Sequence, residues 1–257
     1  MIALPPELLN QIGVNVWHLF AVFLRVSAFV SLLPAFGERS IPVRVKLGLS
    51  MAFTLIIAPA IDAPGLAAGF PQMVRLVGTE VLIGMALGIG LRLFVLALQT
   101  AGSIAAQSTS LSQLLGGAAV DPMPAMGYFL MLAGLTLAVI MGLHIRAAQF
   151  LIHSYAMFPM GMLPAPSDLS HWGVQQIAHS FSLAFALATP FVIASLIYNL
   201  ALGVINRAMP QLMVAFVGAP AITFAGLFLL FAGAPLILSV WSDALNAFLL
   251  NPIGGRP

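Results

Sequence analysis

The chain has no cysteine and very little charge: 6% of its 257 residues are Asp, Glu, Lys or Arg, where soluble domains carry roughly 25%. Without cysteine there is no disulfide framework, no thiolate metal cluster and no thiol nucleophile. Nine basic against seven acidic side chains leave a formal charge of +2. Charges this sparse form no basic face that neutralises a phosphate backbone, which excludes nucleic-acid binding. Catalytic motifs are missing as well. The single Lys46 lies in Val-Lys-Leu-Gly and not in a Gly-rich phosphate loop, and there is neither a His-Glu-x-x-His nor a Gly-x-Ser-x-Gly. Of the histidines at 18, 144, 153, 171 and 179, only His171 has a carboxylate, Asp168, within a turn. His171 and His179 are two helical turns apart, too far to share a metal. We read the histidines as interface residues or backbone partners, and expect no enzyme activity, no catalytic residue, no metal site and no cofactor.

What the chain has in abundance is apolar sequence, 61% of its residues, and that excludes a soluble globular protein. At about 20 residues per span, the apolar blocks run Ile12 to Leu33, Val45 to Ile61, Met73 to Gln107, Tyr128 to Phe158, Trp172 to Ile205 and Leu212 to Leu250. Backbone groups in hydrocarbon need internal partners, and no alternating barrel strands are visible, so the blocks are expected to be helices. The predicted class is all-α: one polytopic helical membrane domain over residues 1–257, built of long kinked helices and helical hairpins. The start, MIALPPELLN, lacks the basic opening and apolar run of a secretory signal and reads as retained.

Block lengths depart from ordinary spans in both directions. Val45 to Ile61 amounts to ~25 Å of helix against a core of roughly 30 Å, whereas Met73 to Gln107 amounts to ~52 Å. Pro190 is expected to interrupt the fifth block, and Pro220 and Pro235 to break the sixth. Pro/Gly-rich connections fall at Pro34 to Pro42, Asp62 to Pro71, Ser108 to Gly127 and Pro159 to His171. Only the first is distinctly basic, with Arg39, Arg44 and Lys46 against Glu38, which points it toward the cytoplasm.

Glu80, Gly84 and Gly88 stand four residues apart on one helical ridge. Glycines at that spacing let a second helix approach to backbone contact, within the chain or from a partner subunit. A glutamate there costs about 2.5 to 3.5 kcal/mol facing lipid, so Glu80 is expected to face protein or water. Arg25 lies mid-block and Arg207 follows Asn206 at a block end. A proton relay wants several aligned carboxylates and only Glu80 lies deep, so subunit pairing is the expected role of these charges, with partners on other subunits. The most polar and glycine-rich stretch between blocks contains Ser110, Leu111, Ser112, Gln113, Leu114, Leu115, Gly116, Gly117, Asp121 and Pro122. It reads either as a solvated connector or as a segment packing flexibly inside a conduit. Seven of the thirteen methionines fall between Met123 and Met162, a cluster that fits gap-filling packing.

Three pieces of this sequence resemble the FliR family. The first runs from Arg25 to Pro34-Ala-Phe-Gly37 and on through Pro42-Val-Arg44-Val-Lys46. The second comprises Glu80, Gly84 and Gly88, then Ala101-Gly102, Gln107, Asp121-Pro122, His144, Pro159 and Gly161. The third runs from Asn199 through Gly203 to Asn206-Arg207-Ala-Met-Pro210-Gln211. The resemblance implies a subunit of the flagellar type III export gate, with a counterpart in virulence injectisomes. Such a subunit assembles with FliP-like and FliQ-like membrane subunits into a pore for unfolded export substrates, with an FlhB-like subunit at the entrance, in the bacterial inner membrane within the flagellar basal body. The plug-forming loop of that family corresponds to about Ser110 to Gly127. A small-solute or ion transporter is the reading from another class, with broken helices at Pro190 and Pro220 forming a midplane site.

Overall fold

The computed structural model describes residues 6–62, 69–109, 125–209 and 214–252. Among them are seven α-helices: α1 (Pro6–Leu32), α2 (Val43–Ile57), α3 (Phe70–Thr109), α4 (Ala125–Ile140), α5 (Leu143–Met157), α6 (Pro166–Ala208) and α7 (Val214–Leu250). A short 3-10 turn, Ala58–Ala60, extends α2, and no strand occurs among the described residues. Five helices are long and apolar enough to cross a membrane, or six if the broken pair α4 and α5 counts as one span. The break that divides the fourth apolar block lies at Gly142, whose φ of 79° falls in the left-handed region that favours glycine.

The prolines behave differently from expectation. α6 continues through Pro190, and α7 through Pro220 and Pro235. An interior proline removes one ladder hydrogen bond, and in a long apolar helix the flanking turns hold the rest of the ladder together.

The chain packs as two compact units. The first holds residues 1–92, 139–175 and 247–257. Its core begins with one face of α1, where Val22, Val26 and Phe29 recur at helical spacing and, with Leu33 just past the helix end, are fully buried. Ile83, Leu87 and Leu91 of α3 and Ala147, Phe150 and Leu151 of α5 complete it. Phe150 stacks obliquely on Phe29 and on Phe248, with ring centroids 5.9 and 5.7 Å apart. α2 packs against α1, and His18 lies 2.8 Å from the Ala58 carbonyl through Nε2, the backbone pairing read from sequence.

The second unit holds residues 93–138 and 176–246. Gly102 and Gly127 bring α3 and α4 together so closely that a Cβ at Gly102 overlaps the Gly127 backbone. The indole of Trp241 on α7 is buried and donates to the Phe94 carbonyl at 2.8 Å. Near the end of α3, the Ser108 carbonyl accepts from Ser195 of α6 at 2.5 Å, and Asn199 donates to Ser195 at 3.2 Å.

Candidate functional site

The most constrained place in the first unit is built on two charges. Arg25 on α1 and Glu80 on α3 are both 0% exposed, and the Arg25 Nε donates to Glu80 Oε2 at 2.8 Å. A second bond runs from Nη2 to Oε1 at 3.2 Å, giving the bidentate geometry that suits a guanidinium and a carboxylate. Both groups make further bonds to α5 and the segment after it. Arg25 Nη1 donates to the Ser154 hydroxyl at 3.2 Å, and Nη2 to the Phe158 carbonyl at 2.9 Å. The Gly161 amide donates to Glu80 Oε1 at 2.9 Å. The Tyr155 ring lies under the guanidinium, 3.7 Å from its carbon, adding a cation–π contact in a desolvated setting. Gly161 reaches the carboxylate with a φ of 73°, which a side-chain-bearing residue rarely adopts.

Two turns of α3 beyond Glu80 explain how α1 comes close enough. A Cβ at Gly84 overlaps the Arg25 carbonyl oxygen, and one at Gly88 stands 2.8 Å from the Leu32 Cβ. The ridge read from sequence is therefore a close contact between α1 and α3, with Glu80 closing one end of it. One expectation is corrected here. The partners of Arg25 and Glu80 lie on the same chain and not on other subunits, because each supplies the opposite charge the other needs inside an apolar unit.

Ser154, Tyr155 and the Phe158 carbonyl carry no motif that marks them in the sequence. The available signal was a Ser-Tyr pair inside an apolar block, followed by Pro159 and a glycine, a polar insertion that wants a buried partner. Asn206 and Arg207 are exposed in the last turn of α6, where a cation complements the helix dipole. Among the described residues neither side chain has a hydrogen-bond or ion-pair partner. The segment with Ser110, Leu111, Ser112, Gln113, Leu114, Leu115, Gly116, Gly117, Asp121 and Pro122 lies outside the described residues.

The basic connection between α1 and α2 is a folded turn. The Gly37 amide donates to the Leu33 carbonyl at 2.6 Å, and Lys46 Nζ reaches the Gly37 carbonyl at 2.8 Å. A Cβ at Gly37 falls 2.6 Å from the Ser31 carbonyl oxygen, and Ala35 has a φ of 67°. Glu38 and Arg92 form a looser, partly exposed pair at 3.7 Å.

Residues 16–248 match the family described as bacterial export proteins, family 1. The chain belongs to the FliR family of bacterial export proteins. It is 35% identical over 235 residues to the flagellar biosynthetic protein FliR of Caulobacter vibrioides, covering 89% of this chain and 92% of that one. To the flagellar biosynthetic protein FliR of Escherichia coli K12 it is 32% identical over 234 residues, covering 89% and 87%. The match to FliR of Bacillus subtilis is 26% over 209 residues, covering 77% and 79%. The matched region contains the whole Arg25–Glu80 centre, the glycine ridge and all seven helices except the first turns of α1 and the end of α7.

Proposed function

We propose that this family member is a non-enzymatic structural and gating subunit of the flagellar type III export gate. In this reading it lies in the bacterial inner membrane within the flagellar basal body. It assembles there with FliP-like and FliQ-like subunits, and an FlhB-like subunit, around a pore for unfolded export substrates.

The observation that carries the assembly is the uncovered apolar surface of the long helices. α6 has 43 residues and α7 has 37, roughly 65 and 55 Å of helix against a hydrocarbon core of about 30 Å. Lipid tails do not cover that length, yet exposed apolar side chains run from Val174 through Phe185 and Ile193 to Val204 on α6 and from Phe224 through Phe231 to Leu250 on α7, roughly 45 and 40 Å of helix. Apolar side chains beyond the reach of lipid call for neighbouring helices of other subunits. A transporter reading is less well supported, since the deep charges Arg25 and Glu80 neutralise each other and line no path.

A conduit for unfolded chains needs a resting seal, and we place it in the segment from Ser110 to Gly127. Gly116-Gly117 gives it hinge freedom, Leu111, Leu114 and Leu115 exclude water, and Ser112 and Gln113 satisfy exposed backbone. Asp121-Pro122 restricts one end. Support comes from the chain on either side, where Ser108 is held by Ser195 and Gly127 is packed on Gly102.

The test is an export assay. Cells lacking the chain should retain flagellar export substrates, and re-expressing it should return them to the medium. Export that is indifferent to its loss contradicts the proposal. For the seal, deleting Leu111 to Gly117 should leave the complex assembled and raise its single-channel conductance. A complex that stays as tight as wild type returns this segment to the role of connector.

A further inference from the structure

The first unit contains a cavity of about 320 Å³ that the pairing of Arg25 with Glu80 does not use. Ala86 and Leu87 of α3 form one wall, Phe158 after α5 another, and Leu169 and Trp172 of α6 a third. Among the described residues Asp168 is the one charged side chain that lines it. Asp168 is exposed, and its side chain's one hydrogen-bond partner among the described residues is the Ser167 hydroxyl at 3.3 Å.

The chain itself leads into this cavity. Pro252, the last described residue, is buried and lines it. The Trp172 indole donates to the Pro252 carbonyl at 2.7 Å, and the Asn251 amide closes the end of α7 by donating to the Ala247 carbonyl at 3.0 Å. One turn earlier, Phe248 stacks on Phe150 with ring centroids 5.7 Å apart. A chain held this firmly delivers Ile253 to the cavity wall, since consecutive Cα atoms are about 3.8 Å apart. From there the sequence continues Gly254-Gly255-Arg256-Pro257, outside the described residues.

We propose that the segment after Pro252 folds back onto the first unit, with the Ile253 side chain in the cavity and the Arg256 guanidinium against the Asp168 carboxylate. Its composition matches the site in order. An apolar residue meets the apolar cavity, two glycines let the backbone reverse, and a cation then meets the carboxylate. Asp168 lies one helical turn, about 6 Å, from Trp172, and the four residues from Pro252 to Arg256 span up to ~14 Å, so the guanidinium comes within reach. Ile253 supplies the adhesion through apolar surface removed from water, while the exposed charge pair chiefly sets the direction of the segment. Any apolar group from another molecule competes with a segment tethered at the cavity wall, at a local concentration of about a millimolar. The fold-back ties the end of α7 to α6 and braces Phe158, which lines the cavity and accepts from Arg25. It is packing within one unit and does not rest on the export reading.

Because the chain has no cysteine, engineered thiols on it report without background. The test uses membranes of cells that make the full chain beside its natural partner subunits. On mild oxidation, Ala86→Cys with Ile253→Cys, and Asp168→Cys with Arg256→Cys, should each form an intrachain disulfide, read by intact mass after alkylation. Ser170→Cys with Arg256→Cys, which moves the thiol to another side of α6, should cross-link several-fold less. Truncation after Pro252 should raise maleimide labelling of a lone Ala86→Cys several-fold. Cross-linking no better from position 168 than from position 170 overturns the proposal. So does labelling of Ala86→Cys that truncation leaves unchanged, which would make the occupant a neighbouring subunit or a lipid. If the Ala86 variants do not accumulate, the comparison of positions 168 and 170 decides alone.

Discussion

Arg25 and Glu80 are 55 residues apart in sequence and 2.8 Å apart in space, and both are sealed from solvent. Each is affordable in an apolar unit only because of the other. Removing one partner of a buried pair typically costs about 3–5 kcal/mol, while replacing both by apolar groups of similar volume is often near neutral. Arg25→Met and Glu80→Met alone should each sharply reduce the amount of heat-stable complex, and the double replacement should recover much of it. Double-mutant losses that equal the sum of the singles would show that the pair is not coupled.

The glycines of α3 offer an internal comparison. A Cβ at Gly84 overlaps the Arg25 backbone, whereas one at Gly78 on the same helix meets nothing within 4 Å. Gly84→Ala should therefore block assembly and swimming, and Gly78→Ala should leave both unchanged. Gly84→Ile and Gly88→Ile should be at least as severe while the chain still inserts. Normal swimming in the Gly84 variants would remove the close contact of α1 and α3 from the account.

Ala35 occupies the left-handed region with a φ of 67°, at a cost of about 1–2 kcal/mol for a residue with a Cβ. Ala35→Gly should raise the melting temperature of the complex slightly, and Ala35→Val should lower it markedly. Opposite signs would contradict the turn geometry between α1 and α2.

Partly exposed pairs contribute little, with a median near 0–1 kcal/mol. Glu38→Gln, which removes the 3.7 Å contact with Arg92, should leave accumulation and heat stability close to wild type. A loss comparable to that of Glu80→Met would assign the basic turn a larger structural role than its geometry supports.

Much of this organisation is legible in the residues themselves. The apolar blocks foretell the helices, and the glycine ridge places Glu80 against protein, because lipid is the one environment a carboxylate and two glycines do not suit. The partner of Glu80 is not legible. Arg25, Arg92 and Arg146 all lie inside apolar blocks, and choosing among them, or a partner in another subunit, needs the packing of α1 on α3. Pro190, Pro220 and Pro235 mislead for a local reason: a rule about one missing hydrogen bond does not weigh the dozens that persist in helices of this length. Trp241 reads as bulk, and its donation to the Phe94 carbonyl emerges only when α7 is laid beside α3. Gly161 shows how much a backbone amide contributes, since its part in the charged centre owes nothing to a side chain.

The central claim is that the uncovered faces of α6 and α7 are subunit interfaces. Co-expression of this chain with FliP-like and FliQ-like proteins, followed by native mass spectrometry of the detergent-solubilised product, tests it most directly. The account predicts a mixed complex containing one copy of this chain, and poor recovery of the chain expressed alone. A folded, monodisperse monomer that remains apart from the other subunits would contradict it.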